Sequence, residues 1–179
     1  GDGVWLLYSS GNSISGNNIT NNNWDGVYLE YSSNNTLRNN NMANNVYNFC
    51  VGGVNLSEFI NDIDTSNTVD GKPIYYWINE RDMAVPLNAG YVALVNCTRI
   101  TVKNLNLANN MQGVLLAWTT NSTITENIIT NSGYYGIWLD YSSNNSVYGN
   151  NITASTEYGI ALRDCSNYNT ISVNNIIDN

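Results

Sequence analysis

The chain has no histidine, and only 11% of its 179 residues carry charge. Without imidazole it lacks the side chain most used to move protons near neutral pH and to hold transition metals. Basic residues are scarce as well. Six Lys and Arg stand against fourteen Asp and Glu, a net charge of −8, which excludes the positive footprint of a nucleic-acid binder or of a protein held on an anionic membrane. No run of eighteen apolar residues exists, so no helical membrane span is expected. There is neither an initiator Met nor a charged-then-apolar leader, and the expectation is a mature or excised piece. Prolines number two and cysteines three, an odd count.

What is abundant is asparagine, about one residue in five. Alone, that composition suggests a disordered polar tract, but strict apolar positions argue otherwise. Gly3 and Gly26 are 23 residues apart, and so are Gly113, Gly136 and Gly159. Counted from each glycine, offset one is Val4, Val27, Val114, Ile137 and Ile160, and offset three is Leu6, Leu29, Leu116, Leu139 and Leu162. Offset eleven is Ile14, Leu37, Ile124 and Val147, and offset sixteen is Ile19, Met42, Ile129 and Ile152. Ile171 and Ile176 match these sites if one extra residue sits in the turn around Asn167 to Asn169. A spacing of two within short segments is that of strands, and no helical stripe appears.

A fixed period in the twenties marks a solenoid. Three short strands per turn predict an all-β fold, a single-stranded right-handed parallel β-helix of seven to eight coils with coils about 4.8 Å apart. Polar ladders support this reading. Asn17, Asn40, Asn127 and Asn150 share offset fourteen, with Asn174 joining after the insertion, and stacked amides hydrogen-bond along such an axis. A leucine-rich horseshoe is the competing solenoid, but its LxxLxL spacing is missing.

The chain is read as one domain over residues 1–179. Two regular coils fill residues 3–48, and a third begins near Phe49 with Phe49 and Val51 inward. The period fails between Leu56 and Ala89, a stretch holding Pro73 and Pro86, and is expected to form one irregular coil with a protruding loop over about 56–90. Tyr91 to Leu107 restores the phase, with Val92, Leu94, Val102 and Leu107 inward.

The pattern G-[IV]-x-L, then S-S-N-N, then N-x-I resembles the repeats of carbohydrate-binding proteins and sugar hydrolases, including NosD-like proteins, over nearly the whole chain. The segment IDTSNTVDGKPIYYWINERD with the following GYVALVNCTRITVKNLNLANNMQGVLLA resembles a part of archaeal secreted surface proteins of that type. This resemblance implies a right-handed β-helix and an extracellular or cell-surface setting. It implies little about activity, because the fold carries lyases, hydrolases, adhesins and inert stalks.

NosD-like proteins are commonly described as copper-associated. Copper favours imidazole, thiolate and thioether, and here there is no His, while Met42, Met83 and Met111 are scattered. No metal or cofactor is therefore expected. Sugar cleavage needs paired carboxylates. Glu30 and Asp140 share offset four but lie several coils apart on a common axis. Asp25 and Glu30 are placed across one corner, with Arg163 and Asp164 further along, all as solvated outer-face residues, so no catalytic residue is assigned. Asp62, Asp64 and nearby Asp70 form a weak Ca²⁺ motif. Cys97 and Cys165 share offset six with Ser9, Ser32, Thr119 and Ser142 and read as members of a small-residue corner ladder, too far apart for a disulfide. Cys50 remains open to a partner outside the chain.

Outer-face aromatics are the strongest binding candidates. Trp5, Tyr28 and Trp138 occupy offset two, and Tyr8, Tyr31, Trp118 and Tyr141 offset five. Such a ribbon suits stacking on sugar rings or burial against protein, and equally self-stacking that stiffens the coil. Seven N-x-S/T sequons begin at Asn18, Asn34, Asn55, Asn96, Asn121, Asn144 and Asn151, with Asn55 the best-placed candidate for glycosylation, although corner Asn positions risk being sterically shut. Neither end shows a cap, and Val4, Leu6, Ile171 and Ile176 are expected to make end-to-end contacts. The leading expectation is a non-enzymatic extracellular structural module that stacks on itself or on a flanking β-helix of the same parent chain. Binding of a surface polysaccharide along the aromatic ribbon comes second, and a polysaccharide-active enzyme third.

Overall fold

The computed structural model describes residues 1–179, in which twenty-two short strands and one 3-10 turn, Leu56–Phe59, alternate with tight corners. In a regular coil the first strand, such as Asp25–Glu30 or Tyr135–Asp140, is followed by two strands of three residues. Successive coils pair in parallel. Val27 lies between Val4 and Phe49, and Ile137 between Val114 and Ile160. Equal offsets thus stack, and the offset-one, -three, -eleven and -sixteen side chains fill the interior, with Val27, Leu29, Leu37 and Met42 fully buried.

The repeat glycine has a steric cause. A Cβ on Gly113 would run into Ile129 of its own coil and stand 2.6 Å from the carbonyl oxygen of Gly136 in the next. Asparagine has two. Corners turn through left-handed residues, often Asn, as at Asn34, Asn39, Asn44, Asn121, Asn131 and Asn144; among non-glycine residues Asn adopts this region at least cost. Other asparagines form buried ladders. Asn150 Oδ1 accepts from the backbone N–H of Asn127 at 3.0 Å and from its Nδ2 at 2.9 Å, while Asn150 Nδ2 donates to Ile124 O and Asn174 Oδ1. Asn17, Asn40 and Asn67 repeat the scheme.

The solenoid is not one continuous column. The N-terminal stack has three coils and the C-terminal stack five, the latter built on Lys72–Ile78, Tyr91–Val95, Gln112–Ala117, Tyr135–Asp140 and Tyr158–Arg163. Between them Val69 faces Lys72 in an antiparallel pair closed by Asp70 and Gly71, both at positive φ. That is the two-residue turn favoured by Asp-Gly, which needs φ > 0 at both central positions. The expected protruding loop over 56–90 is therefore corrected. Residues 56–69 complete the third coil, 70–71 reverse the chain, and 72–90 lay down the first coil of the second stack.

After the reversal, the outer face of the C-terminal stack's first sheet covers the open interior of the third coil. Ile74, Tyr76, Tyr91, Ala93, Val95 and Leu115 share one core with Phe49, Val51, Phe59 and Ile63. The unpaired edge of Tyr47–Gly52 is satisfied across this joint. Asn48 N–H donates to Asn109 O at 2.6 Å, Met111 N–H to Phe49 O at 3.1 Å and Gln112 Nε2 to Val51 O at 3.2 Å. Tyr76 OH adds a bond to Phe59 O at 2.6 Å.

The inserted residue of the last coil lies one corner earlier than expected. Ser142 N–H donates to Ser166 Oγ, so the ladder skips Cys165, and Asp164 and Cys165 both take positive φ. Cys165 is exposed outside the ladder it was assigned to, whereas Cys97 occupies it and donates its backbone N–H to Thr119 Oγ1. We expect Asn150→Ala to lower the unfolding free energy in urea by about 2–3 kcal/mol, since it orphans several buried groups. Ser13→Ala, at an exposed strand position, should change it by less than about 0.5 kcal/mol. Equal losses would show that the ladder is not a main stabilising element.

Candidate functional site

Folding the chain back sets the outer face of the N-terminal stack opposite the first sheet of the C-terminal stack, and a trough runs between them. Its centre is a cavity of about 130 Å³ reached by Tyr28, Glu30, Tyr31 and Cys50 from one wall and by Gln112, Tyr134, Tyr135, Trp138 and Arg163 from the other. Beside it lies a pocket of about 290 Å³ lined by Gly1, Asp2, Trp5, Trp24, Asp25, Tyr28, Met111 and Tyr134. Tyr47 OH and Thr156 Oγ1, 3.1 Å apart, tie the two walls together.

The seven aromatic residues expected to form one ribbon divide between the stacks. Trp5, Tyr28, Tyr31 and Trp138 line the trough. Trp138 points outward from its own coil but is only 5% exposed, because the N-terminal stack covers it and Phe59 packs against it edge-on. Tyr8, Trp118 and Tyr141 stand outside the trough at left-handed corners, where Tyr8 stacks on Tyr31 and Trp118 on Tyr141 at 4.9 and 4.5 Å. Trp24, Tyr134, Tyr135 and Tyr158 were not singled out from the sequence. A signal existed, since all four occupy one of the two positions just before a repeat glycine.

The acidic residues behave differently from the solvated set expected. Asp25 and Glu30 are at opposite ends of one strand, about 16 Å apart along it at the usual rise, too far for either geometry of a glycosidase carboxylate pair. Glu30 opens on the trough and accepts from Trp5 Nε1 at 3.1 Å. Asp140 stands on the other stack, not further along one axis, and is buried with neither carboxylate oxygen hydrogen-bonded. Asp25 is 2% exposed and its Oδ1 has no partner. Burial, then the neighbouring Asp2, pushes its carboxyl up to about 7. Burial, then Asp164, pushes Asp140 up to about 7. Arg163 donates to Tyr135 OH at 3.2 Å and lies 6.0 Å from the centre of the Trp138 ring.

Other expected sites resolve individually. Asp62 and Asp64 are both paired with Arg38, so the acidic motif is occupied by a guanidinium. Cys50 is buried against Gln112 Nε2 and is not available to a partner outside the chain. All seven sequon asparagines, Asn18, Asn55, Asn96 and Asn121 among them, are exposed, and the shut corner positions are instead the laddered asparagines. Leu6 is buried and Val4 half-buried in the first coil, while Ile171 and Ile176 are exposed in the last.

The two raised carboxyls give stability a definite pH dependence. Their folded pKa values exceed that of an unfolded aspartate, so the native state binds more protons between about pH 4 and 7. Stability should then fall as pH rises through that window and level off above it. Urea denaturation from pH 4.5 to 8.5 should show this fall. Asp25→Asn should flatten it and raise stability at pH 8 by about 1–3 kcal/mol; an unchanged profile in Asp25→Asn would remove this aspartate as the cause.

Residues 60–179 match the family described as periplasmic copper-binding protein (NosD), and residues 1–75 match the right-handed β-helix region. No curated protein and no solved structure matches the chain. No helix is long and apolar enough to cross a membrane. The residues present do not fit a copper centre. There is no imidazole, and no three Cys, Asp or Glu side chains converge on one point. The Cys97 thiol is turned to the carbonyls of Trp77 and Val95, Cys50 is sealed behind Gln112, and Met42 is enclosed in the N-terminal core. A parallel β-solenoid whose match runs over residues 60–179 makes this chain a member of the NosD family of right-handed β-helix proteins.

Proposed function

We propose that the chain is an extracytoplasmic saccharide-binding solenoid that holds a polysaccharide segment in the trough between its stacks. The observation that carries this reading is the facing of aromatic side chains across a concave polar floor, Trp5, Trp24 and Tyr28 on one side and Tyr134, Tyr135 and Tyr158 on the other. Sugar rings present apolar faces to aromatic planes and hydroxyls to carboxylate and guanidinium groups; Glu30 and Arg163 supply these in the same trough. The setting outside the cytoplasm is inferred from the periplasmic description of the family. The separation of Asp25 and Glu30 supports binding over cleavage.

Isothermal titration against a panel of neutral, amino and acidic oligosaccharides tests the proposal. Trp5→Ala should weaken binding roughly tenfold, the scale of one lost aromatic contact. Tyr8→Ala removes a corner ring outside the trough and should leave affinity unchanged. Equal losses in the two variants would return the site to the corner ribbon, and no binding by any sugar would reject the reading.

A second reading has its own observation. The last coil leaves Leu162, Ile171 and Ile176 between 39 and 46% exposed. This surface is complementary to a further coil, from a second copy of the chain or from a flanking β-helix of the same parent chain. Analytical ultracentrifugation should then show concentration-dependent association that Ile176→Lys abolishes. A monomer at all concentrations rejects self-stacking.

A further inference from the structure

We infer that the trough selects saccharides bearing a free, protonated amino group, and that the amino group is held in the pocket walled by Trp5, Trp24, Tyr28 and Tyr134 over Asp25. This inference rests on the saccharide reading above and narrows its substrate class. Three observations converge on it. The first is the box itself, a pocket of about 290 Å³ with four aromatic side chains and two carboxylates in its lining. Aromatic side chains around a small cavity suit an organic ammonium, which is attracted to the negative face of a π system.

Asp25 supplies the second observation. It is 98% buried, it lines the pocket, and its Oδ1 meets no hydrogen-bond donor of the protein. A buried carboxylate with an oxygen that has no donor is a costly arrangement, and a cation held in the pocket that the residue lines would offset its charge. A hydroxyl or an acetamide would bring a donor but no charge. Asp25 is also poised to ionise when a cation arrives, since its carboxyl already titrates at about 7.

The third is the distribution of charge. Six cationic side chains exist. Arg38 is paired with Asp62 and Asp64, Arg99 with Asp82 and Lys103 with Glu126, Lys72 is bound to Asn106 O, and Arg81 is exposed beside Thr98. Only Arg163 enters the trough, and it reaches the central cavity, not the aromatic box. The box faces Asp2 from the preceding segment, Cys50 from the adjacent strand, and Tyr134 with nearby Glu157 from the opposite stack. The amino terminus at Gly1 is the one cation in the lining and stands against the two carboxylates of Asp2 and Asp25, so the balance disfavours uronate and sulfated sugars and favours an ammonium.

The test uses the whole chain and four probes: a β-1,4-linked glucosamine tetramer, its fully N-acetylated counterpart, a galacturonate tetramer and tetramethylammonium chloride. The glucosamine tetramer should bind about tenfold or more tightly than the N-acetylated one, and tetramethylammonium should compete with it. Tetramethylammonium does not titrate, so its affinity should rise with pH through about 7 as Asp25 ionises. Asp25→Asn should abolish that rise and the amino preference while retaining the N-acetylated tetramer. Glu80→Gln removes an equal charge outside the trough and should leave both in place. Should Asp25→Asn fail to fold, Trp24→Ala reports on the same box and should lower the affinity for tetramethylammonium. Equal affinity for the two tetramers, or preference for galacturonate, overturns the inference and leaves the saccharide reading standing. Binding of tetramethylammonium with no binding of any sugar overturns both.

Discussion

The structure depends on one constraint, that each coil's corner must find hydrogen-bond partners in the coil beside it. A strand pairs its own N–H and C=O groups with its neighbours, but a corner does not, and an unmet buried backbone group costs about 1–3 kcal/mol. Here a side chain one coil on accepts each critical N–H, as Asn40 does for Asn17 and Ser142 for Thr119. A laddered amide also returns its Nδ2 to a carbonyl of the preceding coil, as Asn145 does to Thr119 O. Polar groups in the wall are thereby largely satisfied, which leaves the interior free to be filled by apolar side chains, chiefly Val, Leu and Ile. The low charge and high asparagine content are two expressions of this arrangement.

A stack built this way has an inherent difficulty, because its final coil offers unmatched edges and an open core. The third coil meets it by closing against the flank of the second stack. Phe59 sits at that junction, touching Trp118 and Trp138 from the other stack, and the Tyr76 hydroxyl holds its carbonyl. The trough follows from the same packing. Two regular convex solenoids have no concave surface of their own, and the crevice exists only because one is set against the side of the other. The unpaired carboxylates of Asp25 and Asp140 persist in a molecule whose other polar groups are largely satisfied.

Much of this was legible in the residues. Period, strand positions, inward side chains and the asparagine ladders all follow from a local pattern repeated at fixed spacing, and local patterns are what a sequence displays directly. The joint was not read, although Val69-Asp70-Gly71-Lys72 carries an Asp-Gly hairpin signal, because the surrounding break in period masked it. The misplacement of Trp138 has a different source. Alternation along a strand says which side of its own sheet a residue occupies, and it is silent about what a second stack brings against that side. For the same reason the burial of Asp25 is not legible in the sequence, and the separation of Glu30 and Asp140 along a single axis fails because the chain does not keep one axis. The insertion at Asp164 and Cys165 was displaced by one corner because two neighbouring corners accept an extra residue equally well in composition.

The Asp70–Gly71 reversal makes length and shape separable quantities in this architecture. A coil added within either stack repeats bonds that are already present and leaves the junction untouched, so the protein grows in increments of one turn without altering how its halves meet. Each increment would extend a wall of the crevice by the spacing of neighbouring strands, about 4.8 Å. The chain is in this sense a gauge with a fixed corner and adjustable limbs. Duplication of a single repeat would change the length of the crevice while conserving the groups at its corner.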